Sequence, residues 1–338
     1  MRTIILHATI LVIFFNSCDT VEPKLIKFQG QTQGTYYAVT YFDSDARNFK
    51  EDVENLLDEF DQVASIWVEN SLISKVNRNE TTQVTDSVFE DLYYRSAVIF
   101  RVSGGAFDPT VGPLVNAWGF GFTNRLKMDS VVVDSLLPLV GFDKVRFDNE
   151  KIVKMDPRIQ LDFNAIAQGY SVDLIGKLLE EKGIDNYLVD IGGEVLAKGK
   201  KPDGEPWKVG IEKPSDHAEY GESLEAIVKL ENKAMATSGN YRKFYEEGGI
   251  RYSHTIDPKT GYPVQHSLLS VSVMAGDCAT ADGWATAFMV LGLEKSREII
   301  RKTTDLEAFF IYSSKNGEIK TSYSRGFESI ILESKGDS

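Results

Sequence analysis

The second half of the chain contains many short strand-like segments that follow one another closely. In order, they are NYLVDIGG, EVLAKGK, WKVGIEK, LEAIVKL, KAMATSG and LLSVSVMA. Short runs rich in β-branched and aromatic residues, bounded by glycines and polar residues, are typical of strands. Their close spacing predicts an antiparallel or mixed sheet, which limits the possible folds more than any other feature. Near the end, AFFIYSSKNGEIKTSY predicts a hairpin that turns on Asn316-Gly317.

Helices are predicted at irregular intervals among the strands. Apolar residues recur at three- and four-residue steps within Ala46–Ala64 and within Ser87–Val102, and this spacing predicts amphipathic helices. Further helices are predicted from about Ala165 to Lys182, ended by Gly183, and in DCATADGWATAFMVLG. Such an irregular mixture favours α+β over a doubly wound parallel sheet. We therefore predict a single α+β domain with mixed or antiparallel sheets flanked by helices.

Several shorter segments complete the predicted order of elements. KFQGQTQGTYYAVTYF alternates around Gly30 and Gly34 as strands do, and further strands are predicted at 145–147, 152–155 and 160–163. Asp162 is expected at the end of the last strand. AFDPTVGPLVNAWGFG is dense in proline, glycine and aromatic residues and is predicted to be a loop.

The N-terminal segment MRTIILHATILVIFFNSC has the composition of an export signal. Arg2 precedes a mostly apolar stretch from Ile4 to Phe15, which is too short to span a bilayer comfortably. The small residues before Cys18 resemble the lipobox of bacterial lipoproteins, in which this cysteine becomes lipidated after cleavage. The alternative is an ordinary cleaved signal with a chance cysteine.

This segment leads to a predicted domain organisation and location. We predict a lipoprotein signal peptide over 1–18, a tether over 19–25 and a folded domain over 26–335. The expected location is a bacterial membrane, with the protein lipid-anchored and facing the periplasm. Asp19 after the cysteine favours the inner membrane.

The overall charge of the chain argues against one class of binding partner, nucleic acids. The chain has a formal net charge of -13 and a pI near 4.9, and no basic run would offset the repulsion of a phosphate backbone, so nucleic acid is not expected. An acidic protein that handles an anionic substrate needs a metal ion or a cluster of backbone N–H groups. After Cys18 the one further cysteine is Cys278, so no internal disulfide is expected.

The segment DCATADGWATAF carries the first candidate for chemistry. Asp282 and Thr286 are four residues apart in a predicted helix, so their oxygens project from one face on successive turns. Mg2+ prefers oxygen ligands, keeps several waters and is commonly held by few protein groups together with substrate phosphates. The alternative is structural: Asp282 favours the helix dipole, and Thr286 packs or bonds to the preceding turn.

Two further segments have equally open interpretations. In DFNAIAQGYSVD, the N–H groups of the first helical turn can receive a phosphate, whereas Asp162 or Asn164 can equally serve as a helix cap. In RYSHTIDPKTGYP, Asp257 to Gly261 predicts a tight turn, and His254 is either a catalytic group or a polar residue at the neck of that turn. The glycines of VDIGGEV and ATSGNY lack the spacing of a dinucleotide or P-loop motif.

Seven segments match one family in order and spacing. They are QGTYYAVTY, FDPTVGPLVNAWGFG, DFNAIAQGYSVD, LVDIGGEV, ATSGNYRKF, HTIDPKTGYPV and ADGWATAFMVLG. Together they resemble the ApbE family, the FAD:protein FMN transferases, over about residues 28 to 332.

This resemblance implies an enzyme that cleaves the pyrophosphate of FAD with Mg2+, passes FMN to a threonine hydroxyl of a partner protein and releases AMP. The implied metal ligands are Asp282, Thr286 and the main-chain carbonyl of Ala165, and His254 is the implied group that assists deprotonation of the hydroxyl. An imidazole suits that task because its ordinary pKa is near 6.5. The implied flavin and adenylate contacts are Gln33, Trp67, Ala106, Phe107, Asp108, Asp162, Gln168, Ile256 and Ala285.

The chain departs from the usual family pattern at several of these positions. Gln33 stands where members usually have Met, Gln168 where they have Lys, and Ala285 where many have an acidic residue. Loss of a lysine at 168 removes a positive charge near the pyrophosphate. Trp67 stands where Tyr is common, a conservative change for stacking on an aromatic ring. Because Asp282, Thr286, His254 and Asp162 are present, we expect an active enzyme.

Two alternative functions share the same implied substrate. One is a Mg2+-dependent FAD pyrophosphatase, in which water replaces the protein hydroxyl and free FMN and AMP are released. The other is a non-catalytic lipoprotein that binds FAD and stores or delivers it. For the transferase, the expected acceptors are exported flavoprotein domains of redox-driven ion pumps or related proteins.

Overall fold

The computed structural model describes residues 22–121, 125–214, 223–240, 244–247 and 250–334, and for 244–247 and 250–252 it describes the backbone alone. The predicted signal peptide, the lipidation site Cys18 and tether residues 19–21 lie outside these ranges. The first strand begins at Lys24, so the last two residues of the predicted tether belong to the sheet. In the part of the chain that is described, no helix is both long and apolar enough to cross a membrane.

Strands predominate in the order of elements. They are β1 (Lys24–Thr32), β2 (Thr35–Asp43), β3 (Val145–Asp148), β4 (Lys151–Lys154), β5 (Tyr187–Ile191), β6 (Glu194–Lys198), β7 (Trp207–Glu212), β8 (Leu224–Leu230), β9 (Lys233–Gly239), β10 (Phe244–Glu247), β11 (Ile250–Ser253), β12 (Leu268–Ala275), β13 (Glu307–Ser313), β14 (Ile319–Tyr323) and β15 (Ile331–Ser334).

The helices lie between these strands at uneven intervals. They are α1 (Lys50–Ala64), α2 (Leu72–Asn77), α3 (Ser87–Val102), α4 (Gly112–Ala117), α5 (Ser130–Leu136), α6 (Asn164–Glu181), α7 (Cys278–Leu291), α8 (Leu293–Lys302) and α9 (Arg325–Glu328), with short 3-10 turns at Leu137–Leu139 and Phe142–Lys144.

One large antiparallel sheet organises the molecule. Its eight strands lie in the order β1-β2-β5-β6-β9-β12-β13-β14, and every pair of neighbours is antiparallel. A second sheet has the order β15-β8-β7. The predicted α+β fold is confirmed, and the predicted hairpin at Asn316-Gly317 joins β13 to β14, with Ser313 opposite Ile319.

The central strand β12 shows how the layers pack. Val271 and Val273 belong to a core that also contains Phe288 of α7, whereas Met274 packs in a second core with Trp207 of β7. Successive side chains of a strand point to opposite faces of its sheet. The helices of the first core, such as α7, therefore cover one face of the large sheet, and the three-stranded sheet covers the other face together with α9, whose Phe327 packs in the second core.

Several predicted boundaries change in the structure. The first helix begins at Lys50 rather than Ala46, and the predicted loop 106–121 contains the helix α4. The prediction of a strand at 160–163 is wrong: Leu161 donates its N–H to the Asn77 side chain, and Asp162 donates to the carbonyl of Pro109. That segment forms no strand, and these two N–H groups pair with helix and loop residues instead. The short helices α2 and α5 were not predicted, because six or seven residues contain too few turns to show a period.

Helices α6 and α7 pack closely at Gly169, where a Cβ atom would lie 2.4 Å from the carbonyl oxygen of Cys278 and 2.8 Å from the Cβ of Asp282. We expect Gly169→Ala to lower the free energy of unfolding by about 1–3 kcal/mol, because backbone atoms must move apart to admit the methyl group. Urea denaturation measures this loss. The matched control is Gly276→Ala, where an added Cβ meets nothing within 4 Å; an equal loss there would contradict the explanation.

Candidate active site

A cavity of about 1390 Å³ is lined by residues of the helices, of the large sheet and of strand β7 in the three-stranded sheet. Its wall includes the turn between β1 and β2, the start of α6, the turn between β5 and β6, and the inner face of α7. It exceeds the roughly 300–1,000 Å³ of pockets that hold drug-sized ligands. A ligand as large as a dinucleotide therefore has sufficient room.

All but one of the residues predicted for the site line this cavity. Ala285 is the exception, because its side chain is completely buried in the core that α7 shares with other helices; the ligand contact at this position stays a prediction. The predicted residues that do line the cavity are Gln33, Trp67, Ala106, Phe107, Asp108, Asp162, Ala165, Gln168, His254, Ile256, Asp282 and Thr286.

Asp282 joins α7 to the first turns of α6. Its side chain is only 7% exposed, and its Oδ2 accepts a hydrogen bond of 3.0 Å from the backbone N–H of Gly169. In a regular α-helix, the N–H of residue 169 points towards the carbonyl of residue 165. The hydrogen bond therefore holds the Asp282 carboxylate against the first turns of α6, where Ala165 also lines the cavity.

The start of α7 is held in place by two carboxylates. Asp277 caps the helix by accepting from the N–H of Thr280 at 2.9 Å. Asp173 of α6 accepts from the N–H groups of Cys278 at 2.7 Å and Ala279 at 2.9 Å. Together they satisfy free N–H groups of the first turn, so the position of Asp282 one turn later depends on α6 as well as on α7.

Burial raises the pKa of Asp173 to about 7, which gives the stability of the protein a testable pH dependence. An aspartate in the unfolded chain titrates near 3.9. Between about pH 4 and pH 7 the folded state keeps a proton that the unfolded state has lost, so this group's contribution to stability falls as the pH rises. We expect Asp173→Asn to flatten the decline in unfolding free energy between pH 5 and pH 7.5, measured by urea denaturation. The exposed Asp305→Asn is the control, and an unchanged slope in Asp173→Asn would contradict the assignment.

Glu194 lies beside Asp282, and the sequence did not single it out. Burial raises the pKa of both carboxyls, and the charge of Asp282 raises that of Glu194 further. The Oε2 atom of Glu194 is buried without a hydrogen-bond partner. In the sequence, the segment VDIGGEV was considered for its glycines alone. A glutamate that directly follows two glycines and begins a predicted strand was the feature that could have identified this residue.

The turn before Glu194 is shaped by Asp190. This side chain accepts from the backbone N–H of Gly193 at 2.9 Å and from the Tyr36 hydroxyl at 3.1 Å. Gly192 and Gly193 have φ values of 62° and 106°, which residues with a Cβ rarely adopt. The glycines therefore let the chain reverse between β5 and β6 with Glu194 facing the cavity.

The charge of the cavity is strongly one-sided. Of the lining residues that the structure describes, Lys208 is the single lysine or arginine. Against it stand Asp61, Asp108, Asp162, Asp190, Glu194, Glu212 and Asp282. A phosphate-bearing ligand would be repelled here unless a cation accompanied it.

The oxygen donors at α6 and α7 fit a magnesium ion. A carboxylate, a hydroxyl and a carbonyl are hard ligands of the kind that Mg2+ takes, and Asp282, Thr286 and Ala165 supply one of each. Among the described residues, no group of three or more His, Cys, Asp or Glu side chains could hold a metal by itself. Water and substrate oxygens would complete the coordination, as is usual for this ion.

The carboxylates of Asp162 and Asp108 accept different numbers of hydrogen bonds from the protein. Asp162 accepts from the N–H of Asn164 at 2.8 Å, and burial raises its pKa to about 6. Asp108 accepts from the N–H and hydroxyl of Thr110 and from the N–H of Phe142, and burial also raises its pKa to about 6. Asp108 therefore holds the loop in place, while Asp162 lies at the start of α6, where the residue in the cap position is Phe163.

The turn after His254 has the predicted form. The N–H of Gly261 donates to the carbonyl of Asp257 at 2.8 Å, and the Trp118 indole donates to the carbonyl of Gly261 at 2.8 Å. His254 lines the cavity, and its ring lies edge-on to Phe120 with 6.3 Å between centroids. The two interpretations of His254 are thus compatible: the tight turn forms, and it anchors the segment from which His254 lines the cavity.

Two glutamines, Gln33 and Gln168, also line the cavity. Gln33 donates from Nε2 to the Ser171 hydroxyl at 2.6 Å, and its Oε1 is buried without a partner. The Gln168 amide lies close to Gly192, where a Cβ would approach its Nε2 to 3.1 Å. Trp67 is 64% exposed at the cavity, so a large aromatic face is available to a ligand.

The fold and the cavity define an α+β protein with an acidic site large enough for a dinucleotide and suited to a hard divalent cation. The chain belongs to the ApbE family, whose model matches residues 33–310.

Individual relatives agree with this assignment. The chain is 37% identical over 319 residues to an FAD:protein FMN transferase of Haemophilus influenzae, across 90% of this chain and 91% of the relative. Identity to the FAD:protein FMN transferase of Escherichia coli K12 is 32% over 341 residues and covers 96% of each.

Solved structures share the fold. The flavin transferase ApbE from Vibrio cholerae has a TM-score of 0.82 and 31% identity, and covers 91% of this chain and 99% of its own. The flavinyl transferase ApbE of Pseudomonas stutzeri, in its apo form, has a TM-score of 0.82 and 33% identity, and covers 93% and 99%.

Proposed function

We propose that this protein is an FAD:protein FMN transferase that uses Mg2+ to move FMN from FAD to a threonine hydroxyl of a partner protein and releases AMP. The observation that carries the proposal is the hydrogen bond from Gly169 to Asp282, which joins the α7 carboxylate to the first turns of α6 in the wall of an acidic cavity that Ala165 also lines. Relatives that carry this activity in their names match almost the whole chain.

The metal site would be formed by Asp282, Thr286 and the Ala165 carbonyl. A bound Mg2+ supplies charge neutralisation at the pyrophosphate, which phosphoryl transfer needs most. Asp282 contributes the formal negative charge that attracts the ion, and burial limits competition from bulk water. Thr286 lies one turn further along the same face of α7, so one rigid helix positions both side chains.

His254 would act on the incoming nucleophile. A threonine hydroxyl is a weak nucleophile, and an imidazole that accepts its proton raises the rate by roughly 10²–10⁴-fold in typical cases. The hydroxyl oxygen then forms a bond to the phosphorus of the FMN half. The bond from that phosphorus to the bridging oxygen breaks, and AMP leaves with the electron pair.

The aromatic and polar residues of the wall would hold FAD. Trp67 offers an exposed ring for stacking on a flavin or adenine, and Ile256 and Phe107 are apolar residues of the cavity wall. Asp162 and the amides of Gln33 and Gln168 offer hydrogen-bonding groups at the cavity. Ala285 is left out of this set because it is not among the residues that line the cavity.

We further propose that the mature protein is exported and anchored by a lipid on Cys18, facing the periplasm at the inner membrane. Its acceptors would then be exported flavoprotein domains of redox-driven ion pumps or related proteins. Labelling with a radioactive fatty acid and fractionation of wild type and Cys18→Ser test the anchor. Loss of label and release from the membrane fraction are expected for the variant, and unchanged labelling would contradict the proposal.

The activity is tested by incubating the protein with FAD, Mg2+ and a candidate acceptor domain, followed by intact mass measurement of the acceptor. A mass gain that corresponds to FMN supports transfer, and EDTA should prevent it. Free FMN with an unmodified acceptor supports the pyrophosphatase instead. Tight FAD binding without either product supports the non-catalytic alternative.

A further inference from the structure

Glu194 has an environment that the contacts within the protein do not explain. It is the first residue of β6 and is 7% exposed. Its Oε2 is buried and has no hydrogen-bond partner, although buried carboxylate oxygens are normally paired. Because Glu194 also lines the cavity, a group in the cavity is the natural partner.

The charges around Glu194 define what that partner must be. Asp282 acts on it most strongly among neighbouring charges, followed by Asp190, and both have the same sign as Glu194. The one lysine among the described lining residues, Lys208, is more than half exposed and lies near Glu205 at 3.7 Å. Three acidic groups in a largely buried corner therefore call for a cation rather than for a neutral or anionic ligand.

We propose that Glu194 is a further anchor of the divalent cation, and that its carboxylate accepts a hydrogen bond from one of the waters that the ion retains. This inference rests on the proposed function, since it presupposes the Mg2+ held by Asp282, Thr286 and the Ala165 carbonyl. Mg2+ keeps several waters when few protein groups bind it, and carboxylates that hold such waters orient the ion and add to its affinity. The site then draws on β6 as well as on α6 and α7.

The test is the affinity for Mn2+ alone, a spectroscopic substitute for Mg2+, measured by electron paramagnetic resonance and calorimetry on the full protein. We expect Glu194→Gln to weaken Mn2+ binding by about 10–100-fold, the usual effect of losing an outer-shell carboxylate. The matched control is Glu212→Gln, which removes a lining carboxylate on β7 and should retain the wild-type affinity.

A second measurement separates a role at the ion from a role in folding. In EDTA, Glu194→Gln should melt at or above the wild-type temperature, because glutamine keeps the shape of the side chain and carries no charge that would be buried without a partner. With saturating Mn2+, wild type should gain more in melting temperature than the variant does.

The outcomes distinguish this inference from the proposed function. If wild type and Glu194→Gln bind Mn2+ with equal affinity, the role of Glu194 is wrong and the proposed function stands. If wild type itself binds no Mn2+, the metal-dependent transferase is overturned and this inference with it. A variant that unfolds even in EDTA would show a structural role and would also overturn the inference.

Discussion

Asp282→Asn is expected to reduce FMN transfer by on the order of 10³-fold, the scale on which removal of a key electrostatic group acts. Asparagine has almost the same volume and keeps an oxygen to accept the N–H of Gly169, so the packing of α6 against α7 is retained. What is lost is the negative charge that is proposed to hold the cation. The initial rate of mass gain on the acceptor, together with AMP release, measures the effect.

The control for this variant is Asp61→Asn, which removes a carboxylate elsewhere in the cavity wall. It should transfer FMN at close to the wild-type rate. Melting temperatures of both variants in EDTA should lie near that of wild type. Full activity of Asp282→Asn would mean that the enzyme does not depend on this carboxylate, and the metal site as proposed would have to be abandoned.

His254→Ala is expected to reduce kcat for FMN transfer by about 10²–10⁴-fold, because general-base assistance to the hydroxyl is lost. Since the proposed role is proton transfer rather than ligand binding, the KM for FAD should change little. Transfer assays over a range of FAD concentrations separate the two parameters. Added imidazole should restore part of the rate, because it can enter the space left by the side chain.

The same variant distinguishes chemistry from structure. If His254 merely supported the turn that contains Gly261, the variant would lose melting temperature, and imidazole would not restore its rate. It also separates transfer from hydrolysis: a variant that stops modifying the acceptor but still releases FMN and AMP uses His254 for the protein hydroxyl alone. Unchanged kcat for transfer would contradict the assignment of His254 as the base.

Local sequence patterns were enough to predict most of the long helices, the hairpin and one half of the proposed metal site. The three- and four-residue periodicity located α3 at its observed ends, Ser87 and Val102. The same periodicity put Asp282 and Thr286 on one face of α7, because residues four apart in a helix are always neighbours. The Asn-Gly pair located the hairpin of β13 and β14, because this pair favours the backbone conformation of a hairpin turn.

Relations between distant segments could not be predicted in this way. The contact of Asp282 with Gly169 joins residues 113 apart in sequence, and it depends on how α6 and α7 cross. The burial of Ala285 was likewise invisible, since it follows from which side of α7 faces the core. Glu194 became noticeable only when the turn at Gly192 placed it against Asp282.

The sequence by itself determined the kinds of element, the acidic character of the protein and its family, because these depend on local periodicity, composition and ordered motifs. Only the tertiary structure decided which oxygens share a site and which carboxylates lack a partner. The physical reason is that helix and turn preferences act over a few residues, whereas a cation site needs donors brought together by packing from segments far apart in the chain. In this protein the crossing of α6 and α7, with β6 beside them, supplies the arrangement on which the proposed cation site depends.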